Sequence, residues 1–244
     1  MRNIRLIIEY DGTNHAGWQV QKNAKTIQEV LEDALCKILQ RKVKLYSSGR
    51  TDSGVHAQAQ VANFKSDTKL SCDSIMRALN SCLPEDIAIK KAQDVPLSFH
   101  SRFSAKSKLY RYTILNSKTR SPLARHFSCH IPYKLDIKAM RLAAKHIIGR
   151  RDFKSFQATD KIKRPSIKTI KNIFIKKAGD FIYIDVEADG FLYRMVRNIV
   201  GTLLDVGRGK IRYNDVKAVI KTCDRTISGP TAKPLGLCLI KVKY

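Results

Sequence analysis

One order of elements occurs twice along this chain, and it constrains the fold more than any other feature of the sequence. In the first hundred residues a β-branched run, Ile4 to Tyr10, ends at Asp11-Gly12 and predicts a strand followed by a turn. Thr26-Ile-Gln-Glu29 is a capping box, and Val30, Leu31, Ala34, Leu35, Ile38 and Leu39 follow it at helical spacing. Val43 to Ser48 predicts a strand, the polar stretch from Gly49 to Ala57 a loop, and the residues through Val61 and Phe64 another strand. Ser71 to Leu83 predicts a helix with Ile75, Leu79, Cys82 and Leu83 on one face; Pro84 to Asp86 stop it, and Ile87 to Ala92 is a strand. The order is β-α-β-β-α-β.

The second half repeats it. Lys108 to Asn116 is a strand with alternating aromatic residues, and Asp136 caps a helix through Met140, Ala143, Ala144 and Ile147 that Gly149 ends. Thr169 to Lys176 and Phe181 to Glu187 are strands joined by the hairpin signal Ala178-Gly179-Asp180. Phe191 to Val206 is an apolar helix ended by Gly207, Asn214 to Cys223 a short extra helix, and Leu235 to Tyr244 a closing strand. Two consecutive split βαβ patterns predict an α+β fold of two ferredoxin-like halves, residues 1–103 and 104–244. The alternative is a single α+β domain whose element order happens to repeat.

Charge narrows the partner. Among 244 residues, 46 Lys and Arg face 21 Asp and Glu, a formal net charge of +25, so a polyanion is the expected partner. With 43% hydrophobic residues the chain is too apolar for disorder. The opening run Ile4 to Ile8 is stopped by Glu9 too early for a signal segment, and no apolar stretch is long enough to span a bilayer, so no membrane partner is expected. The six cysteines form no CxxC pair; buried reduced thiols, and with them a cytoplasmic location, are expected. His126, Cys129 and His130 have metal-like spacing but lack a second pair of ligands, so no metal site is expected.

Three segments could carry chemistry. The first, Ser47 to Ala57, places Gly49-Arg50-Thr51-Asp52-Ser53-Gly54 on a loop between two strands, where a rigid scaffold displays functional groups. Arg50, two residues before Asp52, can hold a carboxylate ionised where substrate excludes water. Such an aspartate can act as nucleophile or stabilise a sugar cation. An Asx-turn aspartate that only shapes the loop is the structural alternative. In the second segment, Phe99 to Tyr112, Tyr110 and Tyr112 share one strand face and Arg111 the other. Aromatic residues among lysines and arginines suit a site that stacks on a base and contacts phosphates, though sheet packing explains one tyrosine equally well. In the third, Phe191 to Gly201, Met195, Ile199 and Leu203 form a core stripe, with Arg194 and Arg197 three apart on one side. These features admit an RNA-modifying enzyme or a non-catalytic RNA-binding module. No RRM signature lies on a strand, and neither nucleotide-binding glycine motif occurs.

Taken together, the segments resemble the TruA family of tRNA pseudouridine synthases, almost from end to end and in order. The match runs through Glu9-Tyr-Asp-Gly12, Gly17-Trp-Gln19, Gly49-Arg-Thr-Asp-Ser-Gly-Val-His56, Leu83-Pro-Glu-Asp-Ile87 and Lys108-Leu-Tyr-Arg-Tyr112. It continues through Asp152-Phe-Lys-Ser-Phe156, Met195-Val-Arg-Asn-Ile-Val-Gly201 and Gly236-Leu-Cys-Leu239. The resemblance implies isomerisation of uridine to pseudouridine at positions 38, 39 and 40 of the tRNA anticodon stem–loop, with no cofactor and no metal. It carries the catalytic aspartate onto Asp52 and the aromatic residue packing against the target base onto Tyr110. It likewise carries the base-displacing arginine onto Arg50, and the arginine that pairs with the aspartate from the other half onto Arg197. It also implies a homodimer, one continuous, mostly antiparallel sheet with helices on one face, and a basic cleft between the halves. Ser53, Ser101, Ser228 and Lys233 depart from residues frequent in the family, as does the loop Thr13 to Ala16.

Overall fold

The computed structural model describes residues 1–159 and 165–244. It is a mixed α+β structure with five α-helices among the described residues and mostly antiparallel strand pairing. The chain divides into two compact units, one of residues 1–106 with 238–244, the other of residues 107–237. The expected boundary at 103/104 differs from this division chiefly at the C-terminus, where the last strand groups with the first unit.

In the first unit the order is β1 (Arg2–Tyr10), α1 (Ile27–Leu39), β2 (Tyr46–Ser47), β3 (His56–Ser66), α2 (Cys72–Cys82) and β4 (Ile87–Val95). β1 lies between β4 and β3, antiparallel to both. The far edge of β3 is shared: β2 pairs with its C-terminal part, and the last strand, β10 (Leu237–Lys243), runs parallel to its start. Alternation sets the faces. Ile4, Leu6, Ile8 and Tyr10 are buried, while Arg5, Ile7 and Glu9 between them are only half-buried. α1 begins where the capping box requires, with the Thr26 hydroxyl accepting from the Glu29 N–H at 3.4 Å. Its Ile27, Leu31 and Leu35 are wholly buried, each stabilising the unit by about 1.5–3 kcal/mol. β2 is much shorter than the expected Val43–Ser48: only Tyr46 and Ser47 enter the ladder on β3, while the Leu45 N–H turns to the Glu32 carboxylate at 2.9 Å.

In the second unit β5 (Ser107–Leu115), β9 (Phe181–Ala188), β8 (Ile167–Ala178) and β7 (Gly149–Asp152) pair antiparallel in that order, and β6 (Cys129–His130) adds parallel to β5. α3 (Ile137–Ile147) packs on β8 and on α4 (Met195–Gly207), and α5 (Val216–Lys221) packs against α3. The β8–β9 hairpin turns through Gly179 at φ +57°, as its sequence predicts. Gly149 is not the end of α3 but the first residue of β7, at φ +108°, after Ile148 has already left the helix.

Two further expectations are corrected. α4 starts at Met195, four residues later than Phe191, because Arg194 sits at φ +57° and cannot continue a helix backwards. Arg194 and Arg197 therefore do not share a helix face. Of the six cysteines, none bridged to another by a disulfide, only Cys129 is buried and Cys82 is exposed. No helix among the described residues is long and apolar enough to cross a membrane.

Candidate active site

The loop between β2 and β3 is anchored at Thr51. Thr51 is buried, and its hydroxyl meets the Tyr10 hydroxyl at 2.8 Å; Arg50 before it is exposed and Asp52 after it half-buried. Anchoring Thr51 inward fixes the backbone on either side of it, and with it the positions of Arg50 and Asp52. The anchor is itself held. Gln60, fully buried on β3, donates to the Gly49 carbonyl at 2.8 Å and accepts from the Ser48 hydroxyl at 2.7 Å. Burial raises the Tyr10 phenol far above its ordinary range, against the opposing pull of its bonds to Thr51 and Gln60, so it stays neutral.

A second connection, residues 11–26 between β1 and α1, clamps this loop from behind. The Trp18 N–H donates to the Thr51 carbonyl at 3.0 Å, and the Trp18 ring, 1% exposed, lies 6.1 Å from that of Tyr10. The His15 carbonyl accepts from the Ser53 hydroxyl at 3.2 Å and from the Gly54 N–H at 3.4 Å. His15 is fixed in turn by Asp86, whose carboxylate lies 3.0 Å from its Nε2. Two glycines allow the approach. A Cβ on Gly12 would sit 2.1 Å from the Val55 carbonyl oxygen, and one on Gly17, at φ +88°, 2.7 Å from that of Thr51. The Val55 N–H closes the turn on the Asp52 carbonyl at 3.1 Å. Tyr10, Gly12, His15, Gly17, Trp18 and Gln60 are thus positioning residues to which the sequence alone assigned no role. Two glycines in one short connection were the available signal.

In the second unit Tyr110 lies on β5, 7% exposed, with the Phe191 ring edge-on at 5.2 Å and 89°. Tyr112, on the same strand face, is fully buried and donates to the Lys233 carbonyl at 2.9 Å. It is a core residue, and burial holds its phenol neutral. Arg111 points the other way into a bidentate pair with Asp185, 2.7 Å for each bond, over the Tyr183 ring.

Arg197, 9% exposed on α4, donates from Nε to the Ala232 carbonyl at 2.7 Å, and the Ala232 N–H returns to the Arg197 carbonyl at 3.1 Å. Beside it Asn198 donates to the Phe156 carbonyl at 2.7 Å and accepts from Thr231 at 2.6 Å and Arg225 at 3.0 Å. A Cβ on Gly201 would meet the Pro230 carbonyl oxygen at 1.6 Å, so the helix and the 229–232 segment touch backbone to backbone. The structure therefore brings Arg50 and Asp52 together on one loop of the first unit. It places Tyr110 and Arg197 in the second. No cluster of metal-ligating side chains occurs among the described residues.

A rigidly held loop on a strongly basic α+β chain points to a class: proteins that handle nucleic acid. Comparison with known proteins gives the particular family. The family profile described as tRNA pseudouridine synthase matches residues 6–104 and 143–244. A tRNA pseudouridine synthase A of Thermoanaerobacter sp. is 51% identical over 244 residues, covering all of both chains. Those of Geotalea uraniireducens and Caldicellulosiruptor bescii are 49% and 47% identical over the same span, again with full coverage of each. The chain belongs to the tRNA pseudouridine synthase family, and the reaction of that family is an isomerisation.

Proposed function

We propose that this enzyme converts uridine to pseudouridine at positions 38, 39 and 40 of the tRNA anticodon stem–loop, with Asp52 as the group that acts on the target nucleotide. The observation that carries this reading is the doubly clamped loop, which spends a buried tyrosine, a buried glutamine and two tight glycine contacts on presenting one carboxylate. The reaction breaks the N1–C1′ bond, turns the detached uracil and joins C5 to C1′, while C5 gives up its proton and N1 gains one. Atoms balance and no electrons are transferred, so the chemistry calls for no redox cofactor.

Asp52 attacks C1′, attacks C6, or assists removal of the C2′ proton to give a glycal; each route needs the carboxylate ionised. Arg50, beside it on the loop, displaces the target base from its stack, a step costing a few kcal/mol that contacts with the extruded nucleotide offset. Arg197 pairs with Asp52, and Tyr110 holds the loose uracil by stacking. In this reading the two units are ferredoxin-like halves of one continuous sheet with helices on one face, a basic cleft between them receives the tRNA, and the enzyme works in the cytoplasm as a homodimer.

The test uses unmodified tRNA with uridine at 38–40, the wild-type protein and Asp52→Ala, with products mapped by mass spectrometry. Wild type gives pseudouridine at those positions; Asp52→Ala gives none, yet binds tRNA within about tenfold of wild type, roughly 1.4 kcal/mol. Retained turnover in the variant would remove Asp52 from the chemistry. Light scattering that returned a monomer mass would remove the dimer.

A further inference from the structure

The first unit carries a second cluster of rings and cations that the Asp52 loop does not use. Cross-strand register sets Arg5, Asn63 and Tyr46 side by side on the sheet face opposite Leu6, Ala62 and Phe64. The segment following β4, residues 96–104, is laid over that face by a buried polar network. Asn3 donates to the carbonyls of Pro96 and Phe99 at 3.0 and 2.9 Å, and Asn63 donates to Asn3 at 2.9 Å. Asn63 also accepts from both the N–H and the hydroxyl of Ser101, at 2.9 and 2.7 Å, and Tyr244 donates to the Ser101 carbonyl at 2.8 Å. This anchoring holds three rings in a row: Tyr46 to His100 at 5.2 Å, and His100 to Phe103 at 4.4 Å, with Phe103 76% exposed.

Cations flank the row. The Lys44 ammonium is 5.7 Å from the Tyr46 ring centre, and the Arg102 guanidinium 5.5 Å from that of Phe103. A groove of about 310 Å³ beside Tyr46 is lined by Arg41, Lys42, Lys44 and Lys65, and its one acidic side chain, Asp67, is paired with Arg41. Surface rings, two of them exposed, among cations that outnumber the one carboxylate beside them match a ligand with π-faces and a polyanionic backbone, which is single-stranded nucleic acid. A purely apolar partner would leave the cations desolvated and unpaired.

From these observations we propose that Tyr46, His100 and Phe103, with Lys44 and Arg102, form a second RNA-contact surface that stacks unpaired bases of the tRNA away from the target uridine. Seven residue steps along β3 separate His56, at the foot of the Asp52 loop, from Asn63, roughly 23 Å of strand. The surface therefore engages nucleotides other than the one being isomerised. The inference rests on tRNA being the substrate.

The experiment measures steady-state kinetics on full-length unmodified tRNA and on an isolated anticodon stem–loop hairpin. It compares wild type, Tyr46→Ala with Phe103→Ala, and Lys44→Glu with Arg102→Glu. Each pair should raise KM for full-length tRNA by at least about tenfold, leave kcat at saturating tRNA unchanged, and leave the hairpin KM within about twofold of wild type. An unchanged KM for full-length tRNA, or an equal loss on tRNA and hairpin, overturns the proposal. So does an altered mass by light scattering, which would make the surface a subunit contact. The charge pair keeps the test decisive should loss of the Tyr46 ring unfold β2. Asp52→Ala, assayed alongside, reports on the catalytic assignment separately: its retained activity would sink that reading and leave the binding result standing.

Discussion

Gly17→Ala is the sharpest probe of how the aspartate loop is held. The residue sits at φ +88°, where a side chain costs about 1–2 kcal/mol by its own backbone. Its new Cβ would lie 2.7 Å from the Thr51 carbonyl oxygen, 3.0 Å from the Asp52 carbonyl carbon and 3.1 Å from the Ser53 nitrogen. All three neighbours are backbone and none can swing aside, so overpacking adds about 1–3 kcal/mol, for a total near 3 kcal/mol. Relieving the contact to an ordinary distance moves the Thr51–Ser53 backbone by roughly 0.5–1 Å, enough to cost about 100-fold in turnover if Asp52 acts on the nucleotide. Gly179→Ala is the matched control: φ is +57° with nothing within 4 Å of the new Cβ, so only the backbone cost of about 1 kcal/mol remains. Urea unfolding gives the stabilities. Because C5 of the target uridine loses its proton, release of tritium from 5-labelled uridine in tRNA gives single-turnover rates. Gly17→Ala should lose about 2 kcal/mol more than Gly179→Ala and turn over about 100-fold more slowly, while Gly179→Ala keeps the wild-type rate. Equal stability losses with wild-type turnover in both would refute the clamp as what positions Asp52.

Two other outcomes follow from the buried polar groups. Burial raises the phenols of Tyr10, Tyr112 and Tyr244 above the ordinary tyrosine range near 10, so above about pH 10 the unfolded chain sheds protons that the folded one keeps. Stability is therefore fully present below pH 10 and falls above it by up to about 1.4 kcal/mol per pH unit per tyrosine; urea midpoints from pH 9 to 11 check this, and Tyr244→Phe should flatten the fall. Asn198→Ala removes bonds to Phe156, Thr231 and Arg225 and leaves the Arg225 guanidinium short of an acceptor; the expected loss is about 2–4 kcal/mol by urea unfolding, and less than 1 kcal/mol would show the 225–232 segment to be held by other contacts.

What the sequence reveals of this molecule divides by the range of the interactions that decide each element. The Thr26 cap, the Gly179 hairpin and the buried alternation of β1 depend on residues within a few positions of each other, and the pattern states them outright. β2 does not: Val43 and Lys44 suit a strand locally, but the Leu45 N–H turns to the Glu32 carboxylate of α1 at 2.9 Å, and only Tyr46 and Ser47 enter the ladder, opposite Asn63 and Ala62. β7 leaves no trace because an edge strand reading Gly-Arg-Arg-Asp, with both arginines exposed, has no apolar face to alternate. Phe191 is the instructive error at the site. Its apolar neighbours continue the helical period of α4, yet the ring is taken up edge-on by Tyr110, and Arg194 turns left-handed to let the chain reach it. The catalytic candidate was legible through the resemblance of Gly49-Arg-Thr-Asp-Ser-Gly-Val-His56 to a family motif, since the residues by themselves left an Asx-turn aspartate open. Its support was not, since the clamp works through backbone groups of residues 12, 15, 17 and 18. A carbonyl that accepts from the loop, or a missing Cβ that lets two backbones touch, has no side-chain signature beyond the glycines. The physics that makes Asp52 rigid is therefore written mostly in atoms every residue shares, and only where a side chain would collide does the sequence record it.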